Sequence, residues 1–138
     1  MRTTLLALMV ALPAAALVNA AWCSAALAAF AREIRTLAST ADLERFKRVV
    51  AHQMYAALIQ IALLGAPPIL FAIGVFSHAL GFADVVYILV PAAVIIVVGL
   101  AAKRLETRVR TIPTPDDELR RQRDAIVATW VKKPLPDW

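Results

Sequence analysis

The stretch VVYILVPAAVIIVVGLAA, from Val85 to Ala102, contains no charged residue. A helix needs about 20 predominantly apolar residues to cross a hydrocarbon core of about 30 Å, and this run just meets that length. Two longer uncharged runs precede it, residues 3–31 and, with its two histidines counted as neutral, residues 49–83. All three runs are continuous rather than alternating, which favours helices over barrel strands. The sequence therefore predicts an all-α integral membrane protein with three transmembrane helices.

The charged residues lie between and after these runs. The chain is 61% hydrophobic and 18% charged, whereas a soluble domain is roughly half apolar and about a quarter charged. Its net charge of +5 comes from Lys and Arg beside the apolar runs, with no basic face of interleaved aromatic residues. We therefore expect the lipid bilayer, and not nucleic acid, as a partner.

Lys and Arg are concentrated on one side of the predicted membrane. The first loop and the segment after the third run carry nine of them: Arg32, Arg35, Arg45, Lys47, Arg48, Lys103, Arg104, Arg108 and Arg110. The other side has only Arg2, and the turn at residues 77–84 has none. By the positive-inside rule, the N-terminus is outside and the C-terminus is cytoplasmic. We expect a bacterial cytoplasmic (inner) membrane location.

Prolines occur in every predicted span, and they make Pro13, Pro67, Pro68 and Pro91 candidate helix kinks. Proline removes a backbone donor and clashes with the carbonyl four residues earlier. At Pro67-Pro68 the alternative is a re-entrant hairpin, but that would carry Lys103 outward against the charge bias. We therefore predict one long kinked second helix. A fixed kink that shapes packing is favoured over a gate or a ligand contact.

Two helical segments are predicted outside the membrane. Residues 39–52 form a cytoplasmic extension of the second span, with Ser39 or Thr40 as its N-cap. Residues 1–112 therefore make a three-helix transmembrane domain with this extension, and residues 113–138 make a cytoplasmic amphipathic helix and tail. Thr114 is the expected N-cap of that last helix, and Pro115 its first helical position.

The last helix has an apolar face. Leu119, Ile126 and Trp130 project within a narrow arc, and the tail ends at Trp138. Favourable charge pairs four residues apart, Asp116–Arg120 and Asp117–Arg121, are expected on the polar side. These four apolar side chains are candidate contacts with a partner subunit or with the membrane surface.

The first span carries small residues at helical spacing. One stripe is Ala16, Ala20, Ser24 and Ala28, and an adjacent one is Ala21, Ala25 and Ala29. Small residues let helices approach closely in lipid, so we expect helix–helix packing here, with one stripe available to another chain. Asn19 and Gln60 are the clearest polar side chains at depth, and we expect them to form hydrogen bonds between helices.

No catalytic or cofactor motif is present. The chain has no Gly-rich phosphate loop, HExxH, CxxC or GxSxG pattern, and Cys23 is its one cysteine. His52 and His78 lie on the same predicted helix, about 39 Å apart at 1.5 Å per residue. We therefore expect no enzyme activity, no metal site and no cofactor.

Three classes of function remain, and a small non-catalytic accessory or assembly subunit of a larger membrane complex is favoured. That function predicts protein partner subunits in the membrane. The alternative is a self-assembling pore, because three spans, an external N-terminus and a charged cytoplasmic tail resemble the layout of some phage holins. A second alternative is a small membrane carrier. The uncharged spans speak against a carrier, since transported ions usually require intramembrane acids.

Overall fold

The computed structural model describes all residues from Met1 to Trp138 and is entirely helical. Four α-helices follow one another: α1 (Arg2–Glu33), α2 (Thr40–Phe76), α3 (Val86–Arg110) and α4 (Asp117–Lys132). A short 3₁₀ helix, Phe82–Val85, leads directly into α3. Three segments, α1, α2 and Phe82–Arg110, are long and apolar enough to cross a membrane. The predicted all-α fold with three long apolar helices is confirmed at this level.

The second long helix is continuous. Pro67 and Pro68 lie inside α2, just as Pro13 lies inside α1 and Pro91 inside α3. A re-entrant hairpin would require the chain to reverse near Gly65, where the structure has an uninterrupted helix. That alternative is therefore wrong.

A reciprocal capping box begins α2. The Asp42 amide donates to Ser39 Oγ at 3.1 Å, while Ser39 Oγ donates to Asp42 Oδ2 at 2.8 Å. The Ser39 amide also donates to Asp42 Oδ2, at 3.1 Å. Ser39, rather than Thr40, is thus the N-cap, and an aspartate occupies the position that glutamate usually takes in this motif.

A Schellman motif ends α2. His78 adopts a left-handed conformation with φ of 56°, and its amide donates to the carbonyl of Val75 at 3.0 Å. The amide of Ala79 donates to the carbonyl of Gly74 at 2.9 Å. These are the two hydrogen bonds of the motif, with histidine where glycine is usual. His78 therefore has a backbone role in stopping the helix.

The chain divides into two compact units. The first comprises Met1–Ala21 and Ile59–Ala101, and the second comprises Trp22–Leu58 and Ala102–Trp138. In the first unit, Arg2 forms a 3.1 Å ion pair with the almost completely buried Asp84. Asp84 also accepts the Gly81 amide at 2.9 Å. These bonds hold the start of α1 beside the 3₁₀ helix that leads into α3.

The second unit contains a contiguous apolar core. Its buried members come from all four helices and their connections: Leu27, Phe30, Ile34, Leu37, Leu43, Phe46, Val50, Met54, Val109, Ile112, Leu119 and Ile126. The rings of Phe30 and Phe46 pack at a centroid distance of 6.0 Å, tilted by 44°. Phe46 is completely buried. Leu43, Phe46 and Val50, which recur at helical spacing along α2, therefore face this core.

The start of α4 differs from the prediction. Its N-cap is Asp116, whose side chain accepts the Leu119 amide at 2.8 Å, so the helix begins at Asp117 and not at Pro115. Aspartate caps a helix somewhat better than threonine does. The Thr114 hydroxyl is instead used by Arg123, whose Nη1 donates to it at 3.3 Å.

The charge pairs on α4 change with this start. They form three residues apart rather than four, as Arg120–Asp117 at 3.0 Å and Arg121–Glu118 at 3.9 Å. The predicted Asp116–Arg120 pair is absent because the Asp116 carboxylate caps the helix.

Candidate functional site

The two polar side chains that were expected at depth in the spans contact each other. Asn19 Nδ2, on α1, donates to Gln60 Oε1, on α2, at 2.9 Å. Both residues belong to the first unit and are half-buried. The bond joins two apolar helices through their polar side chains.

The two small-residue stripes of α1 have different surroundings. Ala16 is completely buried, and Ala20, Ser24 and Ala28 are half-buried. The adjacent stripe, Ala21, Ala25 and Ala29, is exposed along its whole length. The first stripe is thus occupied by packing within the chain, and the second is not.

The candidate kink residues are distributed between the interior and the surface. Pro13 and Pro67 are buried, Pro91 is half-buried and Pro68 is exposed. None of them lines either of the pockets described below.

The apolar face of α4 is used inside the second unit. Leu119 and Ile126 are 8% and 4% exposed within the core, and the half-buried Trp130 packs against that core. Leu119 and Ile126 therefore pack within the chain, and their predicted contact with a partner or the membrane surface stays a prediction. Burial in the chain's own core removes their apolar surface from solvent and from lipid.

Two long-range hydrogen bonds place α4 against the core. The Leu37 amide donates to the Pro113 carbonyl at 3.0 Å, and Arg123 Nη1 donates to the Ile112 carbonyl at 2.7 Å. The connection between α3 and α4 is thereby tied to the α1–α2 loop and to α4 itself.

The C-terminal tail folds back on α4. Asp137 forms an ion pair with Lys133 and accepts the Thr129 hydroxyl at 3.2 Å. These contacts bring Trp138, which is 42% exposed, to the rim of an open pocket of about 390 Å³. Its other lining residues are Leu43, Lys47, Gln122, Ala125, Ile126, Thr129 and Asp137. Of the four predicted contact residues, Trp138 is the most accessible.

A second pocket, of about 520 Å³, lies where α1 and α3 end, and we call it the arginine pocket. Its lining residues are Ala31, Arg32, Ile34, Arg35, Arg108, Thr111, Ile112 and Pro113. No acidic residue lines it. Its volume falls within the range of about 300–1,000 Å³ that is typical of small-molecule sites.

The guanidinium groups of the three arginines in this pocket have no partner in the chain. The side chains of Arg32, Arg35 and Arg108 form no ion pair and no hydrogen bond. By contrast, the neighbouring Arg110 pairs with Glu106 at 3.4 Å, and Arg45 pairs with Glu33 at 3.5 Å. The pocket thus gathers three uncompensated positive charges.

The apolar wall of the pocket is held in place. Ile34 and Ile112 are 6% and 5% exposed and belong to the core, so their positions are set by packing. Pro113 is fixed through its carbonyl, which accepts the Leu37 amide. Three guanidinium groups beside a rigid apolar wall can bind an anionic group that carries an apolar portion.

In the sequence, these arginines indicate only the topology of the spans. Arg35 and Arg108 are far apart in the chain, and no local spacing groups them. The available signal was the predicted topology itself, because α1 and α3 run in the same direction and end on the same predicted side. The pocket could have been sought at those two helix ends.

The histidines take part in no comparable cluster. His52 and His78 are both exposed, and no group of three His, Cys, Asp or Glu side chains is arranged to hold a metal ion. Comparisons with protein-family models, with curated proteins and with solved structures find no match to this chain.

Proposed function

We propose that this protein is a non-catalytic accessory or assembly subunit of a larger complex in a bacterial cytoplasmic membrane. Its N-terminus is outside, and the second unit, which includes α4, faces the cytoplasm. The three long apolar helices support membrane insertion, and the distribution of Lys and Arg supports this orientation.

Two glycines carry the proposal. A Cβ atom added at Gly65, in α2, or at Gly99, in α3, would meet no atom of the chain within 4 Å. Glycine in a helix interior costs about 0.5–1 kcal/mol relative to alanine, and packing within this chain does not account for it at either position. In lipid, glycine permits the close approach of another helix. We infer that helices of other chains pack at these two positions.

The surroundings of Gly99 fit that inference. The apolar window of the third span has no buried residue, and Ile96, Val97 and Leu100 are 63%, 68% and 63% exposed. Lipid tails are as apolar as these side chains, so their exposure to lipid costs little. Close packing around a small residue is what favours association there. The exposed stripe of Ala21, Ala25 and Ala29 on α1 offers a similar surface.

The test compares bulky substitutions at the open glycines with a matched substitution nearby. Gly65→Leu and Gly99→Leu add an isobutyl group where the isolated chain has space, whereas Val97→Leu adds bulk at an exposed position of α3 that already carries a side chain. Each tagged variant is expressed at native level, extracted in mild detergent, and sized on native gels with crosslinking and mass spectrometry. We expect wild type and Val97→Leu to migrate with distinct partner proteins, and the two glycine variants to lose them.

Two results would contradict this function. A wild-type chain that migrates as a monomer, with no crosslinked partner, would exclude a subunit role. A complex made only of copies of this chain would favour a self-assembling pore, which the loss of the proton gradient on expression would then establish. Circular dichroism of the glycine variants controls for misfolding.

A further inference from the structure

We propose that the arginine pocket binds the phosphate group of an anionic phospholipid in the leaflet next to the second unit. The inference rests on the membrane location contained in the proposed function. It adds a ligand class and three binding residues, Arg32, Arg35 and Arg108, to a surface that the subunit role does not require.

Charge is the first support. The guanidinium groups of Arg32, Arg35 and Arg108 have no carboxylate partner, and no acidic side chain lines the pocket. Arginine matches the geometry of a phosphate group with two parallel N–H···O bonds, and such charge-assisted bonds are roughly twice as strong as neutral ones.

Position along the helices is the second support. The uncharged run of the first span ends at Ala31, which is itself a lining residue, so Arg32 lies at the edge of the hydrocarbon core. Arg108 is six residues, about 9 Å of helix, beyond the end of the third run at Ala102. The headgroup layer is about 5–8 Å thick on each side of the membrane. Helical side chains lean toward the N-terminus, so that of Arg108 reaches back toward this layer.

The lining of the arginine pocket also fits a lipid better than a fully hydrated ion. Ala31, Ile34, Ile112 and Pro113 form an apolar wall beside the three arginines. A phospholipid presents both a phosphate and the apolar beginning of its acyl chains. Basic pockets between membrane helices on the cytoplasmic side are typical sites for anionic headgroups.

Compensation of helix dipoles does not explain the whole cluster. Arg32 and Arg108 lie in the last turns of α1 and α3, where a cation stabilises the negative end of a helix. Arg35 lies beyond the end of α1, in the loop before α2, and still lines the pocket. Its position is accounted for by a ligand that all three arginines share.

The experiment measures lipid binding by the full chain, purified and reconstituted in phosphatidylcholine nanodiscs. Phosphatidylglycerol is titrated in, and retained lipid is counted by native mass spectrometry. Arg35→Gln and Arg108→Gln each remove one pocket charge. Arg104→Gln removes the same charge from an exposed arginine of α3 that does not line the pocket, so it controls for general attraction to an anionic membrane.

We expect each pocket variant to bind phosphatidylglycerol about tenfold more weakly, since one charge-assisted contact is lost. Arg104→Gln should change binding by less than about twofold. Arg108→Lys should fall between wild type and Arg108→Gln, because lysine keeps the charge but lacks the planar fork. Wild type should retain no excess of phosphatidylcholine.

Three results would overturn the proposal. Equal losses for Arg104→Gln and Arg108→Gln would mean diffuse attraction without a site. Retention of phosphatidylcholine as strong as that of phosphatidylglycerol would remove the requirement for an anionic headgroup. Displacement of the lipid by millimolar inorganic phosphate would identify a free-anion site instead. Lipid binding by a chain that is monomeric on native gels would leave this site standing while the subunit role fails, so the two outcomes are separable.

Discussion

The side chain of Leu80 lies directly over Gly74. A Cβ atom built at Gly74 would be 2.4 Å from Leu80 Cδ1 and 2.6 Å from Leu80 Cγ, closer than any ordinary contact. The Gly74 carbonyl meanwhile accepts the amides of Ala79 and Leu80, at 2.9 and 3.0 Å. The end of α2 is therefore closed by a leucine that can approach only because residue 74 has no side chain.

We expect Gly74→Ala to destabilise the protein by about 1–3 kcal/mol, because the added methyl group would displace Leu80. Gly65→Ala is the matched control in the same helix, since a Cβ there meets nothing within 4 Å. It should be neutral or stabilising by up to about 1 kcal/mol. Unfolding of the purified variants in mixed micelles gives both free energies. Equal effects of the two substitutions would mean that Leu80 does not cover Gly74 as described.

His78 stands in the left-handed position of the Schellman motif, where a side chain is strained. We expect His78→Gly to stabilise the protein by about 1 kcal/mol, because glycine adopts this conformation without steric cost. His52→Gly, in the helical part of α2, should instead destabilise it by about the same amount. The same unfolding assay applies, and a loss of stability in His78→Gly would show that the imidazole has a role of its own.

The hydrogen bond between Asn19 and Gln60 can be tested by a double-mutant cycle. We expect a coupling energy of about 0.6 kcal/mol between Asn19→Ala and Gln60→Ala, and no more than about 1.7 kcal/mol, as for other hydrogen bonds between membrane helices. The energy is small because each amide finds other partners in the unfolded chain. If the losses of unfolding free energy in the two single variants add up to the loss in the double variant, the two side chains are not directly bonded.

Phe46 anchors the core of the second unit, where it is completely buried against Phe30. We expect Phe46→Ala to cost about 3–5 kcal/mol, through lost burial and the cavity that remains. Phe76→Ala should cost less than about 0.5 kcal/mol, because that ring is 85% exposed. Thermal unfolding followed by circular dichroism compares them. If the two substitutions lower the unfolding free energy by similar amounts, Phe46 does not lie in the core.

The capping box of α2 predicts a dependence of stability on pH. The hydrogen bond from the Ser39 hydroxyl holds the pKa of Asp42 below its ordinary value of 3.8. A lowered pKa in the folded state means that this contribution is present above about pH 4 and is lost as the pH falls through the lowered value. The difference in unfolding free energy between wild type and Asp42→Asn should therefore shrink on acidification. A difference that stays constant from about pH 6 to pH 2 would exclude the effect.

Features that depend on neighbours in the sequence were predictable. The three apolar helices follow from the length of uncharged runs such as residues 85–102, because lipid cannot satisfy backbone groups. Ser39 and Asp42 have the three-residue spacing of a capping box, in which each residue accepts a hydrogen bond from the other. Asn19 and Gln60 were identified as candidates for hydrogen bonds between helices because an amide at depth in a span needs a partner.

Only the tertiary structure decided which surfaces those helices use. The periodicity of α4 indicates an apolar face at Leu119 and Ile126, but periodicity is the same whether that face meets lipid, another chain or the core of this one. The arginine pocket brings together Arg35 and Arg108, which are far apart in the sequence, and no local spacing predicts that arrangement. The sequence likewise does not distinguish the role of Gly74 from that of Gly99. Only the atoms around each glycine show that Leu80 requires the first, whereas the chain leaves the second open.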